Sequence, residues 1–197
     1  MTAASRWQPS QSARNAAAAA TTGIYDEPPA WDGGAHCTGR LGVGTRALGD
    51  YILAAFPGVI ASFGGYNCRP NTADTANTSL HGTGRALDLT VSVDGDHSRA
   101  ADVVADWLLT NARTLGVEEV IWTRTIWTSL HGLRDYTGPD AHTSHIHVGL
   151  SPESARSLPP IPTGNNASGA SASGVLGGIA AGGLLVAALA AWSSRRR

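Results

Sequence analysis

The segment His145–Leu150 (HIHVGL) alternates polar and apolar residues, the pattern of a strand with one buried face. Successive side chains of a strand point to opposite faces, so His145 and His147 share one side while Ile146 and Val148 pack into a core on the other. Residues 85–93 (RALDLTVSV) alternate in the same way and carry Asp88. Between these strands, residues 98–115 form the clearest helical pattern, with Val103, Val104, Trp107, Leu108 and Leu115 near one face and Gly116 after the last turn. Residues 117–122 (VEEVIW) and 125–127 (TIW) read as further strands. Upstream, residues 45–56 predict a helix with Leu48, Ile52, Ala55 and Phe56 on one face, stopped by Pro57-Gly58, and residues 59–63 a short strand. This order predicts an α+β domain with helices flanking a mostly antiparallel sheet.

At 197 residues the chain has room for one domain of about 120–150 residues plus extensions. The 14 basic residues, all arginine, against 15 acidic ones give a net charge of −1, which offers no attraction for nucleic acid. Cys37 and Cys68 form no C-x-x-C pair. A disulfide between them would close a loop of about 30 residues, stabilise the fold by roughly 3–4 kcal/mol and imply an oxidising compartment. Two buried thiols acting as small hydrophobes are the alternative.

Outside the domain, at residues 31–150, composition sets the expectations. Residues 1–30 hold no apolar periodicity and read as disordered, and the alanine run 16–20 followed by Thr21-Thr22-Gly23 makes a poor signal-peptide core. Residues 151–174, rich in Pro, Ser, Gly and Asn, read as a flexible linker. Residues 175–192 are uncharged and, at about 27 Å as a helix, long enough to span a bilayer. The basic tail, residues 193–197, would stay cytoplasmic and leave the domain extracytoplasmic, tethered to the membrane. Residues 158–164 (LPPIPTG) also resemble the opening of a sortase-type sorting signal, so wall attachment is an alternative, as is release by phage lysis. Because Pro162 directly precedes Thr163, a retained anchor is the expected outcome.

The chemistry concentrates in histidines. His142, His145 and His147 fall within HTSHIH, and His81 precedes Asp88. Catalytic zinc takes three ligands from His, Asp or Glu and keeps one position open for water, a count that His81, Asp88 and His147 fill. Residues 79–88 (SLHGTGRALD) have the form S-x-H-x-x-G-x-A-x-D, and HIH follows near the end of the domain. Together these motifs resemble the zinc D-alanyl-D-alanine carboxypeptidases and related phage endolysin peptidases, whose metal-centred fold is shared with lysostaphin-type and Hedgehog-type domains. The similarity runs over residues 37–150.

The resemblance implies a peptidase that cleaves an amide bond in peptidoglycan stem peptides or cross-bridges, as a carboxypeptidase or an endopeptidase. It implies zinc ligands at His81, Asp88 and His147, with Gly84 and Ala86 kept small beside the metal. Arg69 would hold a substrate carboxylate or the developing oxyanion; a plain surface arginine is the alternative. Many relatives carry Asp or Glu three residues before the last ligand, where this chain has Ser144, which cannot act as a base. His145 then becomes the expected general base, with His142 orienting it or touching substrate. Ser79 and Tyr66 are further candidates for the substrate site, and Trp122, Trp127 and Tyr136 either line a peptide groove or belong to the core. The serine at 144 also motivates a second reading, a wall-binding module that keeps the fold without turnover.

Overall fold

The computed structural model describes residues 6–92 and 99–162. Its centre is a six-stranded sheet of β1 (Ile60–Gly64), β2 (Ala86–Val91), β3 (Val117–Trp122), β4 (Thr125–Thr128), β5 (Gly132–Asp135) and β6 (His145–Leu150). The spatial order is β1-β2-β6-β3-β4-β5, and every neighbouring pair is antiparallel. The α+β class and the antiparallel sheet therefore agree with the expectation, with β5 as an additional edge strand.

Alternation sorts the side chains of this sheet. Leu87 and Leu89 of β2, Ile146 and Val148 of β6, Val120 and Trp122 of β3 and Trp127 of β4 are all fully buried in one apolar cluster. Among the described residues four helices accompany the sheet: α1 (Gln11–Ala20), α2 (Val43–Ala55), α3 (Arg99–Leu115) and α4 (Pro152–Arg156). α3 buries Val104, Trp107, Leu108 and Leu115 as its periodicity predicts, and packs against β3. α2 buries Leu48 and Ile52 and packs on β1; Phe56, its C-cap, is buried, whereas Ala55 is exposed.

From residue 6 onward the amino-terminal segment corrects the expectation of disorder; residues 1–5 lie outside the described residues. Residues 11–20 form α1, which packs on α3 and β5 through a stripe of Ala13, Ala17 and Ala20. Alanine is the best helix former, and its methyl lets two backbones approach closely. The Ser10 hydroxyl caps the helix by accepting from Ala13 N at 3.3 Å, and Trp127 Nε1 donates to Ala17 O at 3.1 Å. Trp7, ahead of the helix, is fully buried. Burying a large apolar side chain is worth ~1.5–3 kcal/mol, which adds to the packing of α1 on α3 and β5.

The start of the expected linker is likewise structured. Ser151 caps α4 by accepting from Ser154 N at 3.2 Å, Pro152 occupies the first turn where its missing N–H costs nothing, and Ala155 is buried against α2. The rest of the linker (residues 163–174), the expected span (175–192) and the basic tail (193–197) lie outside the described residues. Among the described residues no helix is long and apolar enough to cross a membrane.

Candidate metal centre

His81 sits in a turn that the local sequence closes on itself. Gly82 N donates to Ser79 O at 2.9 Å and Arg85 N to Leu80 O at 3.0 Å, while Ser79 Oγ accepts from His81 N at 3.3 Å. Gly84 has φ +69, and a Cβ there would lie 2.4 Å from Arg40 O. Its smallness thus serves the turn and the neighbouring backbone, which corrects the expectation that it clears space beside a metal. Immediately after the turn the chain enters β2 and delivers Asp88.

Asp88 and His147 are direct partners in the β2–β6 ladder, so both point to the sheet face opposite the core. Asp88 Oδ1 lies 3.2 Å from His147 Nδ1, 3.6 Å from His81 Nε2 and 3.8 Å from His145 Nε2. The ligand atoms of His81, Asp88 and His147 all fall within 4.8 Å of one another. They form the floor of a cavity of about 1070 Å³ that Arg69, Ser79, Tyr136, His142 and His145 also line.

The charges of this floor are strongly coupled. Burial, then the neighbouring His147, pushes His81 down to about 4, which keeps its ring neutral. Nδ1 of His81 lies against the Gly65 backbone without closing a well-formed hydrogen bond, a contact that still favours the protonated ring. For Asp88, burial acts upward but is outweighed by the hydrogen bond and positive charge of His147, and the carboxyl is held at about 2. Burial alone would lower His147; its hydrogen bonds with Asp88 and Glu119 reverse this and raise it to about 9.

Glu119 is the residue the sequence reading misses. It lies on β3 opposite Gly149 of β6, and its Oε1 is 3.2 Å from His147 Nε2. A Cβ at Gly149 would stand 3.2 Å from the Glu119 Cβ, so the glycine leaves room for that side chain. The available signal was a pair of glutamates inside an otherwise apolar strand. Tyr25, from a segment expected to be disordered, also lines the cavity, and its hydroxyl donates to Glu119 Oε2 at 3.5 Å. Burial and the Glu119 charge push its phenol well above the ordinary tyrosine range, so it remains a donor.

The other candidates divide between cavity and core. His142 adopts φ 51, a strained conformation for a residue with a side chain. Backbone bonds from Thr123 N to His142 O and from Arg124 N to Ala141 O, both 3.0 Å, hold this segment to the β3–β4 turn. The His142 ring packs 4.8 Å from His145 and 5.1 Å from Tyr136; its Nδ1 meets Asp140 O at 2.9 Å. Burial and His147 lower its pKa. Tyr136 is therefore part of the cavity wall. Trp122 and Trp127 are not: both are fully buried, because their register places them on the helix-covered face. Tyr66 does not line the cavity; its hydroxyl accepts from Gly39 N at 2.8 Å. Cys37 and Cys68 form the expected disulfide, with Cα atoms 5.6 Å apart, and tie down the loop that carries Arg69.

Two imidazoles and a carboxylate are a donor set that suits a divalent transition metal, zinc among them. The electrostatics fit as well: His81 is neutral, Asp88 is ionised, and the proton held by His147 between two carboxylates occupies a place that favours positive charge. His81, Asp88 and His147 would hold the ion.

No curated protein and no solved structure matches the chain. The family model for the VldE C-terminal domain matches residues 37–147, a stretch that begins at the first cysteine of the disulfide and ends at the last histidine of the cavity floor. That stretch is more than half of the chain and holds His81, Asp88, Glu119, His142, His145 and His147 together, so this protein belongs to the VldE C-terminal domain family.

Proposed function

We propose that this domain is a zinc-dependent peptidase that hydrolyses an amide bond in peptidoglycan stem peptides or cross-bridges. The observation that carries the reading is the convergence of His81, Asp88 and His147 within 4.8 Å on the floor of a cavity large enough for a peptide. Zinc bound there would supply a Lewis acid for the scissile carbonyl and lower the pKa of water.

The chain's own residues supply the rest. His145 lines the cavity with its Nε2 3.8 Å from Asp88 Oδ1, and its side chain is 21% exposed, so it can take a proton from the attacking water and return it to the leaving amine. Glu119 is less suited to that task, since one oxygen meets His147 and the other Tyr25. Arg69, on the cavity wall, can face the oxyanion that develops on the carbonyl. His142, packed against His145, limits the ring's movement. An extracytoplasmic domain, tethered or attached near the wall, would meet this substrate directly, and the disulfide suits an oxidising compartment.

The test combines metal analysis with release of amino acids or peptides from purified cell wall. His81→Ala and Asp88→Ala should each lose both zinc and cleavage; if both properties survived either substitution, the assignment would fall. A zinc-loaded protein that retains wall fragments without cleaving them would favour the non-hydrolytic reading that Ser144 motivates.

A further inference from the structure

We infer that Tyr25 and Glu119 form a hydrogen-bonded relay that holds His147 in the tautomer whose Nδ1 faces the metal, which makes the amino-terminal arm part of the metal site. The inference rests on the metal centre proposed above, and deepens it. The relay runs from Tyr25 Oη to Glu119 Oε2 at 3.5 Å, from Glu119 Oε1 to His147 Nε2 at 3.2 Å, and across the ring to Nδ1, 3.2 Å from Asp88 Oδ1.

The chemistry of each group sets the direction. An ionised carboxylate only accepts, so both groups that meet Glu119 must donate to it. A neutral imidazole has one N–H; spent on Glu119 from Nε2, it leaves the lone pair on Nδ1 for a metal that Asp88 and His81 also face. A carboxylate held through one oxygen keeps freedom to rotate. Tyr25 removes that freedom by engaging the second oxygen. At 3.5 Å its bond is longer than that of His147, so its contribution is the smaller one.

The arm is fixed on both sides of the tyrosine. Thr22 N and Gly23 N donate to Ser129 O at 2.9 and 3.1 Å, and Ser129 Oγ donates to Ile24 O at 2.6 Å. Beyond Tyr25, Arg85 Nη1 donates to Asp26 O at 2.7 Å, and Thr78 N to Pro29 O at 2.8 Å. Two of these partners belong to the metal-bearing motif or its immediate approach, so the arm and the site are positioned together. Tyr25 lies outside the stretch matched by the family model, whereas Glu119 and His147 lie inside it.

Zinc affinity measured on the full chain by competition with a chromophoric chelator tests the relay without any assay of turnover. Glu119→Ala should weaken binding about 10–100-fold, and Tyr25→Phe, which keeps the ring, about 2–10-fold. The two losses should not add: Tyr25→Phe in the Glu119→Ala background should change nothing further, whereas a merely structural tyrosine would cost the same in both. Should Glu119→Ala fail to fold, judged by thermal unfolding of the metal-free chain, Glu119→Gln serves as the background for the same comparison. Wild-type zinc affinity in Glu119→Ala, or equal effects of Tyr25→Phe in both backgrounds, overturns the relay and leaves the peptidase reading standing. A wild-type chain that binds zinc with the predicted couplings but cleaves no wall overturns the peptidase reading and supports the relay; one that binds no zinc overturns both.

Discussion

Asp88 on β2 and His147 on β6 face each other across the ladder, with Oδ1 3.2 Å from Nδ1 and Glu119 closing on the far nitrogen of the same ring. Burial opposes a charge on that ring, yet the two carboxylates raise it to about 9, so metal-free His147 is protonated at neutral pH. Ligation requires the neutral ring. Zinc binding at pH 7.5 should therefore release about one proton, and affinity should rise about tenfold per pH unit up to pH 9 before levelling. His81 and Asp88, lowered to about 4 and about 2, have already lost their protons in this range and add nothing. Calorimetry in buffers of different ionisation heat reads the proton count, and zero release at pH 7.5 would contradict it.

Gly65 has φ +143, and a Cβ there would lie 2.7 Å from Ala86 O and 3.2 Å from His81 Nδ1. Gly65→Ala should strain the backbone by ~1–3 kcal/mol and displace the His81 ring. Denaturant unfolding and metal titration together check this: the variant should fold with reduced stability and bind zinc more weakly than the wild type. Unchanged binding would mean that the contact does not position His81.

The disulfide closes a 31-residue separation and lies one residue before Arg69. Its removal in Cys37→Ser/Cys68→Ser should cost ~3–4 kcal/mol in urea unfolding. Because Arg69 follows Cys68 directly while none of the proposed ligands lies between the two cysteines, zinc affinity should hold while KM for wall fragments rises. Loss of zinc in the double variant would show that the bridge supports the metal floor instead.

Arg85 is buried with all three of its donor groups engaged: Nε to Leu150 O at 2.7 Å, Nη1 to Asp26 O at 2.7 Å and Nη2 to Glu118 Oε2 at 2.8 Å. Arg85→Met leaves Glu118 buried without its cation and should destabilise the fold by ~3–5 kcal/mol. Burial already raises Glu118 to about 7 although Arg85 pulls it down. Without Arg85 the carboxyl rises further, so the folded variant keeps a proton that the unfolded chain releases above the ordinary carboxylate range. The stability deficit should accordingly grow as pH climbs past 7. Urea unfolding at pH 5 and pH 8.5 measures it, and an equal deficit at both would remove Glu118 as its cause.

Much of the site was legible because the relevant rules are local. Period-two alternation in residues 85–93 and His145–Leu150 put Asp88, His145 and His147 on one side of their strands and the aliphatic residues on the other. The 3.6-residue period of α3 announced its buried face in the same way. The packing of α1 was not legible, because its alanine stripe is held through long-range partners, the buried Trp7 and the Trp127 Nε1–Ala17 O hydrogen bond, that a local pattern does not show.

By itself, then, the sequence pointed to the faces of the strands, the long helix, a pairing of its two cysteines and a His/Asp group that could hold a metal ion. Only the tertiary structure decided that β3 inserts beside β6, which brings Glu119 to His147, and that the arm is tied to Ser129 and Arg85, which brings Tyr25 to Glu119. It also decided that Trp122 and Trp127 belong to the core. The reason is physical: which way a side chain points within a strand follows from its own backbone, but which strands become neighbours follows from long-range burial and hydrogen bonding across the whole domain.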